Sequence, residues 1–419
     1  MWLRLLFGLA LAGLAWAQPL TLDEAQQQAH TSHPGLARLR ARVQEAQAKG
    51  QEAASAGNPR IELGARYTYL TPELAFALGP TSMPLVVHHN YSSGIVLEQA
   101  IATFGRLHWS KQAAEMAVQA LEQEYQRESQ RLSLLVALAY SRLHTSQQAI
   151  EVARQAIASR EQLLSDLEKR LQVGVSARYE LLVAQVALGQ DEQRLLQARQ
   201  QSRLALTQLV VLVGLPKGTI PEVEALPLES LQLPEVGQAV EMAGRQRAEL
   251  KAIDFAIDAA QAKIHLEESQ MNPSLGFQTR YEARNSTAFQ TPHQWSAGLE
   301  FRWPLYDGGV AAARTAQAEA ARIQLSESRR EIERQIRLEV EESLLKCETA
   351  RQGLEVSVKN QQAAQEALRL AGLRFKAGVG THQETLDAQA RFREAQQQVL
   401  ESQQMVRESA WQLNFALGL

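Results

Sequence analysis

Trp295-Ser296-Ala297-Gly298-Leu299-Glu300-Phe301-Arg302-Trp303 puts an apolar side chain at every second position and stops at Pro304-Leu305-Tyr306-Asp307-Gly308-Gly309. A period of two with one apolar face is the pattern of a strand. Beyond Gly309 the chain has no proline, and its Ala, Gln, Glu, Leu and Arg read as helix to the end. The same join occurs earlier, where an alternating segment from Tyr91 to Gln99 leads through Gly105 into a proline-free stretch ending at Gly214.

The two joins keep one register. Gly94 and Gly298, Gly105 and Gly309, Arg170 and Arg374, Gly174 and Gly378, and Gly214-Leu215 and Gly418-Leu419 are all 204 residues apart. Upstream the spacing is 214: Ala46-Gln47-Ala48-Lys49 matches Ala260-Gln261-Ala262-Lys263, Asn58-Pro59 matches Asn272-Pro273, and Arg66-Tyr67 matches Arg280-Tyr281. The drop falls between the two alternating segments, so the first copy has the longer loop. A period this long is a duplicated domain and not a solenoid repeat.

Each copy then contains the same parts. The first, 18-215, holds strands at about 60-70 and 91-101 and a helical hairpin over 106-214. The second, 236-419, holds strands at about 274-283 and 294-304 and a hairpin over 309-418. A linker, 216-235, carries Pro216, Pro221, Pro227 and Pro234. Gly174 and Gly378-Val379-Gly380 split the hairpins into antiparallel helices of about 65 and about 37 residues. The longer helix would reach roughly 100 Å. Helix 1 starts at Thr21, which forms a capping box with Glu24, and is interrupted at His33-Pro34-Gly35. Its second-copy counterpart, from about Val236 to Asn272, has no proline and is expected to run unbroken.

The strands are nine or ten residues long, with aromatics near their ends and charges and glycines on the other face. Val96 is the exception on that polar face. A transmembrane barrel strand reads this way, and so does a soluble half-buried sheet. Four strands cannot close a barrel, since about eight is the smallest number seen. If they span a membrane, several chains must pool them, because an open edge in lipid leaves backbone groups unpaired. The apolar stripe Ile157, Leu163, Leu164, Leu167 and Leu171 likewise needs partner helices.

The bulk numbers agree with an exported, mostly helical protein. Arg4, the apolar run Leu5 to Leu14 and Ala15-Trp16-Ala17 form a signal peptide, 1-17. Aromatics are only 6% and net charge is −3, so no basic surface calls for nucleic acid. The single Cys347 sits mid-helix, too far along for a lipid anchor and without a disulfide partner. No catalytic or phosphate-binding motif is present, which argues against an enzyme and against a cofactor. His88-His89, in the loop 71-90 expected to face the exterior, supplies two ligands at most, too few for a metal site.

Leu20-Thr21-Leu22-Asp23-Glu24-Ala25 with Pro34, Trp303-Pro304-Leu305-Tyr306-Asp307-Gly308-Gly309, and Arg374-Phe375-Lys376-Ala377-Gly378-Val379 resemble the TolC family of outer-membrane efflux proteins. The resemblance covers both copies. It implies a mostly α protein with transmembrane β, a homotrimer with a 12-stranded barrel in outer-membrane lipid and a 12-helix periplasmic tunnel. It also implies a periplasmic adaptor and an inner-membrane pump of the RND or ABC type, with the chain as their export duct. A passive porin and a coiled-coil envelope tether are the competing readings.

The resemblance also points to positions. The tip turns Val173-Gly174-Val175 and Ala377-Gly378-Val379 would meet the adaptor, although a tight helical hairpin needs its glycine whatever binds. Glu180, Glu384 and Asp387 would line the periplasmic gate as carboxylate rings. For Glu384 a capping box with Thr381 is the alternative role. Some relatives tie the gate with a basic residue where this chain has Gly380, leaving Arg178 as a substitute. Arg66, Glu98, Arg280, Glu300 and Arg302 would face the barrel lumen.

Overall fold

The computed structural model describes residues 20–419 except 73, 80, 87, 175–176, 217–222, 225, 229–232 and 286–290; the expected signal peptide and Val175 lie outside the described residues. In chain order the elements are α1 (Leu22–Ser32), α2 (Pro34–Ser55), β1 (Arg60–Tyr69), β2 (Leu74–Leu78), β3 (Thr81–Val86), β4 (His89–Ala102), α3 (Arg106–Gln172) and α4 (Arg178–Val213). The second copy gives α5 (Val236–Gln246), α6 (Ala248–Glu268), β5 (Ser274–Arg284), β6 (His293–Arg302), α7 (Val310–Lys376) and α8 (His382–Leu417). Where the sequence suggests only a loop at 71-90, the chain forms a second hairpin, β2 with β3.

Two compact units result, each drawing on both copies. One comprises the described residues of 20–40, 124–250 and 332–419, and its packing is a core made twice. Around one centre are Ala25, Ala29, Leu36, Leu132, Val136, Leu143, Leu209 and Val213. Around the other are Ala239, Ala243, Leu250, Ile336, Val340, Cys347, Leu413 and Leu417, the same positions in the second copy. Tyr140 is fully buried in the first, where its hydroxyl donates to the Leu20 carbonyl (2.7 Å) and accepts from Glu224 N–H (2.7 Å). Burial pushes that hydroxyl up to about 12.

The capping box forms as expected: Glu24 N–H donates to the Thr21 hydroxyl and Thr21 N–H to the Glu24 carboxylate. His33, in extended backbone before Pro34, ends α1. The expectation of an unbroken second-copy helix is corrected. Arg247, the repeat equivalent of His33, is also extended (φ −58°, ψ 122°) and separates α5 from α6 without any proline. Its buried guanidinium takes Glu249 (2.8 and 3.0 Å), Glu339 (2.8 Å) and the Ala416 carbonyl (3.2 Å). These tertiary bonds do in the second copy what proline does in the first. Each break also receives the left-handed glycine ending its own copy's last helix. A Cβ on Gly214 would lie 2.6 Å from the Ser32 hydroxyl, and one on Gly418 would lie 3.0 Å from Arg247 N.

The other unit comprises residues 41–123 and 251–331 and contains an antiparallel sheet of order β1-β4-β5-β6. Asn272 and Gln99 brace its base, donating to the carbonyls of Phe104 (2.8 Å) and Gly57 (2.5 Å). Among the described residues no helix is long and apolar enough to cross a membrane. A strand pair carries its own requirement, met by pairing.

Candidate functional site

Register decides which side chains share a face of the sheet. Arg66 pairs with Ser92, Ser92 with Arg284, Val96 with Arg280, Glu98 with Gln278, and Gly276 with Glu300. Directly opposed residues point the same way, and residues two apart on a strand do too. One face therefore collects Arg66, Glu98, Arg280, Glu300 and Arg302, all five residues expected in a lumen, with Gly64, Gly94, Gly276 and Gly298 between them. Gln278 donates to Glu98 (2.9 Å), and Arg302 pairs with Glu300 along β6.

The opposite face is apolar: Ile61, Leu63, Ala65, Ile95, Leu97, Phe277, Leu299 and Phe301. At its loop end sit Tyr67, Tyr69, Tyr91, Tyr281 and Trp295, with Trp303 and Phe104 at the other. Tyr67 and His89 bond through Oη and Nδ1 at 2.9 Å, and their repeat equivalents Tyr281 and His293 do so at 3.0 Å. An apolar band of this kind with aromatic rims suits a bilayer's hydrocarbon and its interfaces.

The helical hairpins end in turns built on left-handed glycines, Gly174 (φ +76°) and Gly378 (φ +73°). Val173 and Val379 project at 72% and 71% exposure. Ala177 and Thr381 cap α4 and α8, and the Thr381 hydroxyl accepts Glu384 N–H (3.1 Å). The Glu384 carboxylate lies instead 3.5 Å from Arg374 Nε, so the cap uses the threonine side chain while the acid pairs across the turn. Asp387 accepts from Gln383 (2.8 Å). A basic side chain in place of Gly380 has no room, because a Cβ there would sit 2.9 Å from Arg374 Cβ and 3.0 Å from Phe375 N. The basic group beside the Glu384 carboxylate is Arg374.

Glu180 lies close enough to His382 to act on it electrostatically. That imidazole is 4% exposed with neither nitrogen hydrogen-bonded, and its ring meets Phe375 at 5.8 Å. Burial lowers its pKa; Glu180 opposes that shift and Arg160 reinforces it. Phe375 also packs with Leu164, Leu167 and Ala184 and lies 4.5 Å below the Arg170 guanidinium. A second-copy aromatic thus seats in the first-copy hairpin.

Next to it is a cluster that the sequence reading missed. Asp191 is 2% exposed and meets Arg160 (3.3 Å), Arg194 (3.4 Å) and Arg393, while Arg160 also donates to Gln389 (2.8 Å). One carboxylate therefore ties α3 and α4 to α8. A signal for it existed. Arg160 interrupts the stripe Ala153, Ile157, Leu164, Leu167, and Asp191 interrupts Ala184, Leu188, Leu195, Ala198. Opposite charges at core positions of adjacent helices mark a buried pair. Among the described residues no group of His, Cys, Asp and Glu is arranged to hold a metal.

The family model for outer membrane efflux proteins matches residues 25–215 and 239–419. The chain is 25% identical to the outer membrane protein TolC of Salmonella enteritidis over 432 residues, covering 99% of this chain and 86% of that one. It is also 25% identical to the pyoverdine export outer membrane protein OpmQ of Pseudomonas putida, covering 96% and 87%. Its fold is similar to that of CusC, with a TM-score of 0.79 at 19% identity and coverage of 95% and 92%.

Proposed function

This chain belongs to the outer membrane efflux protein family, and from that premise we propose that it is the outer-membrane duct of a tripartite efflux or type I secretion system. It would receive substrate through a periplasmic adaptor from an inner-membrane pump. One observation carries the reading: a four-stranded sheet, polar on one face and apolar on the other, whose edge strands β1 and β6 have no further strand partner among the described residues. Lipid tolerates no such edge, so copies must join until the sheet closes. Three copies give twelve strands, above the minimum of about eight. The polar face then lines a water-filled lumen of mixed charge, suited to weak selectivity.

In the same reading Glu180, Glu384 and Asp387 line the periplasmic opening, with the Arg374–Glu384 pair beside them, and the exposed Val173, Gly174, Ala377, Gly378 and Val379 meet the adaptor. Like charges around a narrow opening repel and attract cations. Single-channel recording of the purified protein in a planar bilayer tests this. A small cation-preferring conductance is expected, rising at least about twofold in Asp387→Ala. No conductance would point to a tether, and unchanged conductance in Asp387→Ala would remove that residue from the gate.

A further inference from the structure

We propose that copies of this chain join through one defined register, β6 of one copy against β1 of the next, with Glu300 opposite Arg66 of the partner subunit and Gly298 opposite Thr68 of the partner subunit. The inference rests on the closed-sheet reading above and requires no particular number of copies.

The repeat supplies the register. Under the duplication β1 corresponds to β5 and β4 to β6, with spacings of 214 and 204 residues. Pairings that can be compared within the chain obey the correspondence: Arg66 faces Ser92 as Arg280 faces Ser296, and Gly64 faces Gly94 as Gln278 faces Gly298. The seam between copies is then the image of the internal seam between β4 and β5. There Gly94 faces Glu282, Ile95 faces Tyr281 and Val96 faces Arg280. Carried through the repeat, these become Gly298 with Thr68, Leu299 with Tyr67, and Glu300 with Arg66, the second residue of each pair in the partner subunit. From Ala297 with Tyr69 to Arg302 with Gly64, the second residue again in the partner subunit, charged and glycine positions share one face and apolar positions the other, as a closed wall requires.

Two further observations agree. A Cβ on Gly94 would lie 2.7 Å from the Tyr281 carbonyl, so β5 excludes a side chain there. Gly298 holds the same place in β6, yet nothing in its own chain comes within 4 Å. The carbonyl that would demand glycine at Gly298 belongs to Tyr67 of the partner subunit. The charges differ in the same sense. The internal seam, whose strands the chain itself tethers, has Val96 opposite Arg280. The external seam must select its partner from solution, and there Glu300 stands opposite an arginine, a favourable cross-strand pair that a slipped register would lose.

Disulfide trapping tests the register. Residues directly opposed across an antiparallel pair have Cα atoms roughly 5 Å apart, within disulfide range, and diagonal neighbours lie roughly 7–8 Å apart. Full-length protein carrying Cys347→Ala, Tyr67→Cys and Leu299→Cys should form covalent multimers on mild oxidation. The same background with Leu299→Cys and either Ala65→Cys or Tyr69→Cys should do so at least about tenfold less. Stronger trapping in a displaced pair overturns the register, and an unchanged oligomer mass by light scattering then leaves the closed-sheet reading standing. A monomer by light scattering, with native helix content by circular dichroism, sinks both. For the charges, Glu300→Arg and Arg66→Glu should each reduce assembled oligomer at least about tenfold, and the double swap should restore it. Full assembly of both single variants, or no recovery in the double, removes the ion pair from the seam.

Discussion

A carboxylate at 2% exposure meets three guanidinium groups and so joins α3, α4 and α8. Asp191 is worth little as a net source of stability, since desolvating it and Arg160 offsets most of their attraction. Removing only one partner is different, because it strands a buried charge. Asp191→Ala is therefore expected to cost about 3–5 kcal/mol locally, and the combined change Arg160→Met, Asp191→Leu and Arg393→Met, which leaves neither of the two buried guanidinium groups unpaired, much less. Hydrogen exchange across residues 157–171 and 184–198 would show this as lost protection in the first variant only. His382 adds a pH dependence. Its folded pKa is lowered by burial, so the unfolded tip binds the proton first as pH falls. Tip protection should be complete above the ordinary histidine value of about 6.5 and decline below it. Its neighbours are Arg160 from α3, Glu180 from α4 and Phe375 from α7. His382→Phe keeps the packing without the proton, and an acid sensitivity that survives it would place the titrating group elsewhere.

Among the elements, the break between α5 and α6 shows how the same geometry arises from different local chemistry. In the first copy Pro34 forbids the preceding residue a helical conformation. In the second, Arg247 is held extended by Glu249, Glu339 and a helix-end carbonyl. Arg247→Ala should cost about 1–3 kcal/mol, since it leaves the Glu249 carboxylate with Arg127 alone and takes a donor from the Ala416 carbonyl. Ala248→Pro is expected to be tolerated, with a gain of up to about 1 kcal/mol, because Arg247 already has the backbone that proline requires. Denaturant titration of the two variants would separate them. A loss in Ala248→Pro as large as in Arg247→Ala would contradict this account of the break.

Across the whole molecule, duplication yields two hydrophobic centres built from equivalent positions. Leu209→Ala and Leu413→Ala remove the same buried side chain from each and should each cost about 2–5 kcal/mol. The two centres share no residue, so the double variant should equal the sum within about 0.5 kcal/mol. Marked non-additivity in a denaturant melt would mean that they behave as one core. The duplication also shapes the sheet: each copy pairs its own two strands and joins the other copy's pair, which among the described residues leaves β1 and β6 as the edges.

Length, period and punctuation were legible from the residues alone. Alternation gave the strands with their charges on one face, proline-free stretches gave the helices, and the turn glycines gave the hairpins, because each depends on neighbours a few residues apart. The 204-residue spacing revealed the duplication, and the family motifs placed the tips. Tertiary structure decided what depends on residues far apart in the chain. The break at Arg247 needs Glu339 and the end of α8, and the Asp191 cluster needs three helices brought side by side. Local pattern carries no record of such contacts, since their free energy comes from burial and pairing that exist only once the chain has folded.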